Sequence, residues 1–387
     1  MRWHHFCAFG LFCGFVISSA ARAEPLYHVT DLGALPSQYN ESRARALNNS
    51  AQVTGTSHAD GTIYSHGFFW SSATSMVDLA DFGGGNDESL GQDINDLGHI
   101  VGSGSVAKEN GSDSGIRALL WTRGGGLQNL GKPAGSDGAA ANAINSSDQV
   151  VGHSFTSSGV THRAFLWSSG DGFTDLGDMP NGMNYVFAND INDSTVVVGS
   201  SQSPGNSRAF RWTSAGGMQK LADLSSVLPD TYAVAINNQN WIVGESHDGA
   251  KYRAVLWNPS GGIMDLGALP GGIEESGANS INNLMQVVGV SNIGTDENES
   301  FRAILWTIGD GVRDLNNLLD VTGAGWSLNR ADDINDSGQI VGTGVYCQTL
   351  SSCVEHAYLL TPIPEPATSL LWAAITLIVP LRRRRVR

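Results

Sequence analysis

Cationic residues are scarce in this chain: 22 lysines and arginines stand against 37 aspartates and glutamates, and only 15% of residues carry charge of either sign. Seven of those cations are Arg2, Arg22 and five arginines among the last six residues, so the body between the ends holds 15 against 37 acids, a net charge near −22. An excess of that size repels nucleic acid and anionic membrane surfaces and favours solubility.

Long apolar runs are missing as well. Residues 6–18 and residues 367–381 are apolar over 13 and 15 positions, short of the roughly 20 that a permanent membrane-spanning helix needs. Catalytic signatures are equally sparse: there is no G-x-S-x-G elbow, no H-E-x-x-H and no phosphate loop. Neither enzyme activity, a cofactor nor a metal is therefore expected, although paired carboxylates for glycosidic chemistry could be assembled from separate loops. An enzyme acting on polysaccharide, as lyase or glycosidase, stays as the alternative.

The short runs have targeting meaning. Arg2, His4 and His5 precede the first one and Ala21-Arg22-Ala23 follows it, the pattern of a secretory signal peptide cut before Glu24. Two of only four cysteines, Cys7 and Cys13, leave with it. Cys347 and Cys353 remain, six apart in an oxidising compartment, and are expected to form a disulfide. So small a loop contributes about 2 kcal/mol and acts as a local staple.

Glycine is abundant, at 48 residues, and it belongs to a repeat. ALNNSAQVTG, DINDLGHIVG, AINSSDQVVG, DINDSTVVVG, AINNQNWIVG, SINNLMQVVG and DINDSGQIVG are anchored by Asn48, Asn95, Asn145, Asn192, Asn237, Asn282 and Asn335, at spacings of 47, 50, 47, 45, 45 and 53. Each is followed by an apolar segment such as AFLW, then by a DLG-like segment. The last DLG is missing after AYLL, but TDLG stands at residues 30–33, ahead of the first asparagine. A unit split between the two termini suits a closed ring, where one shared strand ties first unit to last.

Within a unit, the apolar pair before Asn and the β-branched run after it read as two strands around a tight turn. AFLW is apolar on both faces, and DLG supplies a fourth strand. Four strands per roughly 48 residues is the period of a propeller blade. The chain thus divides into a leader (1–23), an all-β seven-bladed propeller (24–362) whose N-terminal strand closes the last blade, and a C-terminal segment (363–387). The tryptophans at the end of the third strand (Trp70, Trp121, Trp167, Trp212, Trp257 and Trp306) read either as inter-blade packing or as a row of sugar-stacking platforms.

Three patterns bear on chemistry. Asp333-Ile-Asn335-Asp-Ser337-Gly338 opens like a calcium loop, but Ala46, Ala143, Ala235 or Ser280 takes its first position in four copies, so a hairpin turn explains all seven. A basic slot precedes the third strand in every copy: His66, Arg117, Arg163, Arg208, Arg253, Arg302 and His356. These form a candidate binding ring for a polyanion such as an acidic polysaccharide, or pair locally with Asp31, Asp78, Asp175, Asp265 and Asp314, a pattern interrupted by Asn129 and Lys220. Loops after DLG, such as residues 267–277 with Glu274 and Glu275, gather on one face and are the default binding surface.

On these residues, the order IN-x-x-x-QVVG, HAFLW, DLG resembles the bacterial extracellular HAF repeat, and Pro364-Glu365-Pro366 with the apolar and arginine segments resembles a PEP-CTERM sorting signal. The second resemblance implies an exosortase-type sorting protease as partner, transient inner-membrane anchoring through residues 367–381, and release to the surface or outside of a cell that makes exopolysaccharide. Five arginines hold the carboxyl end on the cytoplasmic side. The expected function is that of an exported binding or structural propeller, with exopolysaccharide or another cell-surface component as partner.

Overall fold

A tight turn closes behind each repeat asparagine, and the β-branched run after it returns along the strand before it. In a computed structural model describing residues 26–59, 64–81, 88–107, 115–156, 161–180, 182–203, 205–295, 299–349 and 352–364, this hairpin is the inner half of a four-stranded antiparallel sheet, repeated seven times around an axis. In blade 3, Gly138–Ile144 is the inner strand, followed outward by Val150–Phe155, His162–Ser168 and Gly172–Asp175. The inner strands run from Ser42–Leu47 in blade 1 to Trp326–Ile334 in blade 7, and blade 7 packs on blade 1 as every other blade packs on its neighbour. The fold is a seven-bladed β-propeller. The described residues hold no α-helix, only the short 3-10 turns Leu315–Leu318 and Val321–Gly323. The leader, Glu365, Pro366, residues 367–381 and the arginine cluster lie outside the described residues.

Ring closure follows the split repeat. Tyr27–Asp31 is the outermost strand of blade 7, paired antiparallel with Ser352–Pro362 from Tyr27↔Pro362 to Asp31↔Tyr358. Tyr27 and Val29 point inward and are buried, and the N–H of Leu32 extends the ladder to Ala357 O at 3.1 Å. Cys347 and Cys353 sit opposite one another near the tip of the blade 7 hairpin and are disulfide-bonded.

Each inner strand carries a β-bulge three residues before its asparagine, where Arg45, Gln92, Asn142, Asn189, Val234, Asn279 or Asp332 is the extra residue. The bulge presses a carbonyl against the glycine that ends the β-branched run. A Cβ on Gly55, Gly102, Gly152, Gly199, Gly244, Gly289 or Gly342 would lie only 1.7–2.1 Å from that oxygen, which explains why all seven repeats have glycine there. Gly244→Ala is expected to cost about 3 kcal/mol through forced backbone displacement, read as a lowered urea midpoint at unchanged slope.

The tryptophans pack between blades. Trp257 is fully buried against Val198 and Ala209 of the preceding blade, its Nε1–H donating to Ala222 O at 2.8 Å. Trp70 sits among Val341, Ala357 and Leu359 of blade 7, and Trp121 stacks on Phe69 at 5.7 Å. Large aromatic area fills the wedge that opens between radiating sheets.

Candidate functional site: axis, basic slot and loop face

The repeat asparagines form a closed hydrogen-bonded ring at one mouth of the axis. The Nδ2 of Asn48 donates to Asn95 O, Asn95 to Asn145 O, Asn145 to Asn192 O, Asn192 to Asn237 O, Asn237 to Asn282 O, Asn282 to Asn335 O, and Asn335 back to Asn48 O, at 2.9–3.2 Å. Each Oδ1 accepts the N–H groups two and four residues on, capping its own turn, as in Asn192 with Ser194 and Val196. A second run of bonds, spanning six of the seven junctions, lies just outside. The N–H of Asn49, Ser146, Asp193, Asn238, Asn283 and Asp336 each donates to the side chain at the same position in the next blade. Every repeat asparagine is thereby used in holding the ring, and in six of the seven turns the next N–H is as well, which makes this face a structural clasp.

Below the ring, Asp93, Asp190 and Asp333 line the narrow axial channel, partly open to it yet surrounded by protein. Asp93 accepts the N–H of Ile94 and, from the next blade, of Ile144, both at 2.8 Å. Asp190 does the same with Ile191 and Ile236, and Asp333 with Ile334 and Leu47. The blades that receive these carboxylates carry Ala143, Ala235 and Ala46 at the matching position, and Ser280 donates its hydroxyl to Asp333 at 2.6 Å. The alternation of Asp with Ala is therefore a complementarity between successive blades. Within the calcium-like segment, the oxygens of Asp333 and Asn335 are committed to this bonding and to the turn cap, and Asp336 accepts from Asn283. Among the described residues no group of three His, Cys, Asp or Glu is arranged to hold a metal ion.

Burial, and after it the charge of Asp190, pushes Asp93 up to about 7, and burial pushes Asp190 up to about 6. These acids keep protons in the fold that the unfolded chain has lost, so their contribution to stability falls as pH rises from about 4, the unfolded value, through about 7. His153, held neutral by burial down to about 4, has the opposite slope below the ordinary histidine value. The acids are therefore best seen by difference. Asp93→Asn is expected to flatten the loss of stability between pH 5 and pH 8 in urea titrations, and a variant with the wild-type pH profile would refute the assignment.

The structure brings the seven basic residues to one register position in the third strands but spreads them outward, each beside its own outer strand. His66 Nδ1 lies 2.9 Å from Asp78, Arg163 Nε 2.6 Å from Asp175, Arg253 Nε 3.2 Å from Asp265, Arg302 Nε 4.0 Å from Asp314, and His356 Nδ1 2.9 Å from Asp31. The bond to Asp31 raises His356 above the ordinary histidine range. Where Lys220 replaces the acid, Arg208 instead contacts Pro180 O at 3.5 Å and Lys220 pairs with Asp223. Arg117, in the blade where Asn129 takes the place of the acid, is 2% exposed. Glu274 is engaged by Lys251 and Arg253. In five of the seven blades the slot thus joins third strand to outer strand.

The opposite face is built differently. Every turn on the asparagine face has the same length, whereas the connections from second to third strand range from the tight hairpin Ser203 to Asn206 to the long loop between Ser105 and Ile116. The loops leading from outer to inner strands open on that same face. They carry the exposed apolar side chains Tyr39, Met183, Val227, Leu228 and Val321. Nothing in the repeat pattern announced these, since they fall between the repeated segments.

No family model and no curated protein matches the chain. Among solved structures it is similar to the β-propeller domain of the Trilobed protease from Pyrococcus furiosus, described with an open velcro topology (9% identity, 86% of this chain and 93% of that one, TM-score 0.49). It is also similar to a gluconolactonase from Xanthomonas campestris (10%, 87% and 90%, TM-score 0.39) and to an acylaminoacyl peptidase from Pyrococcus horikoshii (10%, 81% and 52%, TM-score 0.44). At a tenth identity the likeness is one of fold.

Proposed function

We propose that this chain is an exported binding propeller that recognises a cell-surface or matrix component through its loop face, without turning it over. One observation carries the reading: the connections vary in length on one face, where Tyr39, Met183, Val227, Leu228 and Val321 are exposed, while the turns of the other face repeat one length and hold the asparagine ring. Scaffolds of this kind hold recognition on variable loops above a rigid frame. The pairing of most slot cations with blade acids argues for loops, rather than the basic ring, as the contact surface. The leader, the HAF-type repeats and the sorting signal of residues 363–387 fit delivery across the inner membrane, handling by an exosortase-type protease and release among exopolysaccharide.

The test uses arrays of glycans and surface proteins probed with the purified chain, products being followed by mass spectrometry. Retention without product is expected. Val227→Asp with Val321→Asp on the loop face should abolish capture, whereas Leu97→Asp with Leu284→Asp on the asparagine-face turns should leave it intact. Equal loss from both pairs, or turnover of a bound glycan, would defeat the reading.

A further inference from the structure

The seven blades are not equivalent at one place. Four residues after the DLG acid position, the chain drops an apolar side chain into the next blade: Leu35, Met179, Leu224, Leu269 and Leu318 occupy this position among the described residues. Met179 packs over Phe210 and Leu318 over Tyr358. In the connection from blade 2 to blade 3 the corresponding residue is Pro133, smaller and without an N–H, in the shorter segment between Gly131 and Gly138.

Two consequences follow, and both are visible. A cavity of about 310 Å³ remains between this connection and blade 3, lined by Pro133, Ser154, Arg163, Phe165, Phe173 and Asp175 among others. The second concerns a hydroxyl. In blades 1, 5 and 6 the plug residue donates its N–H to a serine of the second strand, Leu35 to Ser57, Leu224 to Ser246 and Leu269 to Ser291, each at 3.0 Å. Ser201 of blade 4 instead bonds Asp178 at 2.7 Å. Ser154 is the blade 3 equivalent. It is 5% exposed and Pro133 offers it no donor, so its one hydrogen bond among the described residues is a 3.5 Å contact with Arg163 O. A buried hydroxyl with unused capacity, facing a cavity, is set to bond whatever enters.

We infer that the junction of blades 2 and 3 is a binding site for one neutral sugar ring, the terminal unit of a glycan; this rests on the loop-face reading and gives it a specific position. The floor is aromatic, with Phe165 and Phe173 in edge contact at 4.9 Å, and suits the C–H face of a pyranose. The wall is the Arg163–Asp175 pair, each side chain about half exposed (46% and 47%). Guanidinium donors lie beside carboxylate acceptors there, so adjacent ring hydroxyls find both kinds of partner, and the pair is neutral, which selects against a charged ligand. The volume is at the small end of the roughly 300–1,000 Å³ of ligand pockets, enough for a terminal residue and not for a polymer segment.

The full chain is titrated with glucose, galactose, mannose and their disaccharides by ligand-observed NMR and calorimetry. At least one is expected to bind. Pro133→Leu restores the plug and should weaken that binding at least about tenfold while raising the melting temperature. Ser154→Ala, which leaves the cavity open, should weaken it several-fold with the melting temperature unchanged, and covers the case in which the leucine variant misfolds. Absence of binding by every probe, or wild-type affinity in both variants, overturns the sugar site. The loop-face reading would still stand if the Val227 and Val321 variants lose array capture, so the two fail separately.

Discussion

Deletion of residues 24–33 is expected to abolish cooperative folding, because the ring would lose the strand that joins its ends. Tyr27, Val29 and Leu32 are each buried, and withdrawing three such side chains forfeits roughly 1.5–3 kcal/mol apiece. The loss also strips the outer edge of Ser352–Pro362 of its ladder partners and leaves His356, 7% exposed, without Asp31. The sum is comparable to the whole stability of a domain, about 5–15 kcal/mol. Circular dichroism melts of the truncated chain should show a broad, early transition, and a peptide of residues 24–33 added in trans should restore part of it by strand addition. A truncated chain that melts cooperatively within a few degrees of the parent would show that closure does not depend on this strand.

Asn192→Ala is expected to cost about 3–9 kcal/mol, the sum of leaving two turn N–H groups and one buried carbonyl without partners at about 1–3 kcal/mol each. The N–H groups are those of Ser194 and Val196, and the carbonyl belongs to Asn237 in the next blade. Asn192→Asp separates the two parts of the loss. It keeps the acceptor for the turn but sets a carboxylate oxygen against Asn237 O, so it should be unstable at neutral pH. Its folded-state pKa would be raised, so stability should return as pH is lowered and the acid regains a proton to donate. Because the seven bonds form one circuit, Asn48→Ala combined with Asn192→Ala should cost less than the two apart, the second break falling on a ring already open. Strict additivity in urea titrations would mean that the seven junctions are independent.

Much of this was readable in advance. The split TDLG predicted the closing strand, the period predicted seven blades, and Cys347 with Cys353 predicted the staple. The asparagines were read as turn residues, which they are, but their Nδ2 groups were not assigned. The alternation of Asp93, Asp190 and Asp333 with alanine counted only against calcium, and its meaning depends on which backbone N–H the neighbouring blade presents. The glycine after each β-branched run was visible only as part of the repeat, and its cause is a bulge in another strand.

The chain by itself determined the number of blades, the four strands of each, the order in which they follow and the place where the ends meet. Those depend on alternation, turn chemistry and apolar runs within some fifty residues, and such local preferences are written one unit at a time. The tertiary structure alone decided what crosses from blade to blade: the asparagine circuit, the partners of the axial acids and the gap left by Pro133. Contacts of that kind join residues a full repeat apart, and only the rotation of one sheet against the next sets which atoms come within bonding distance.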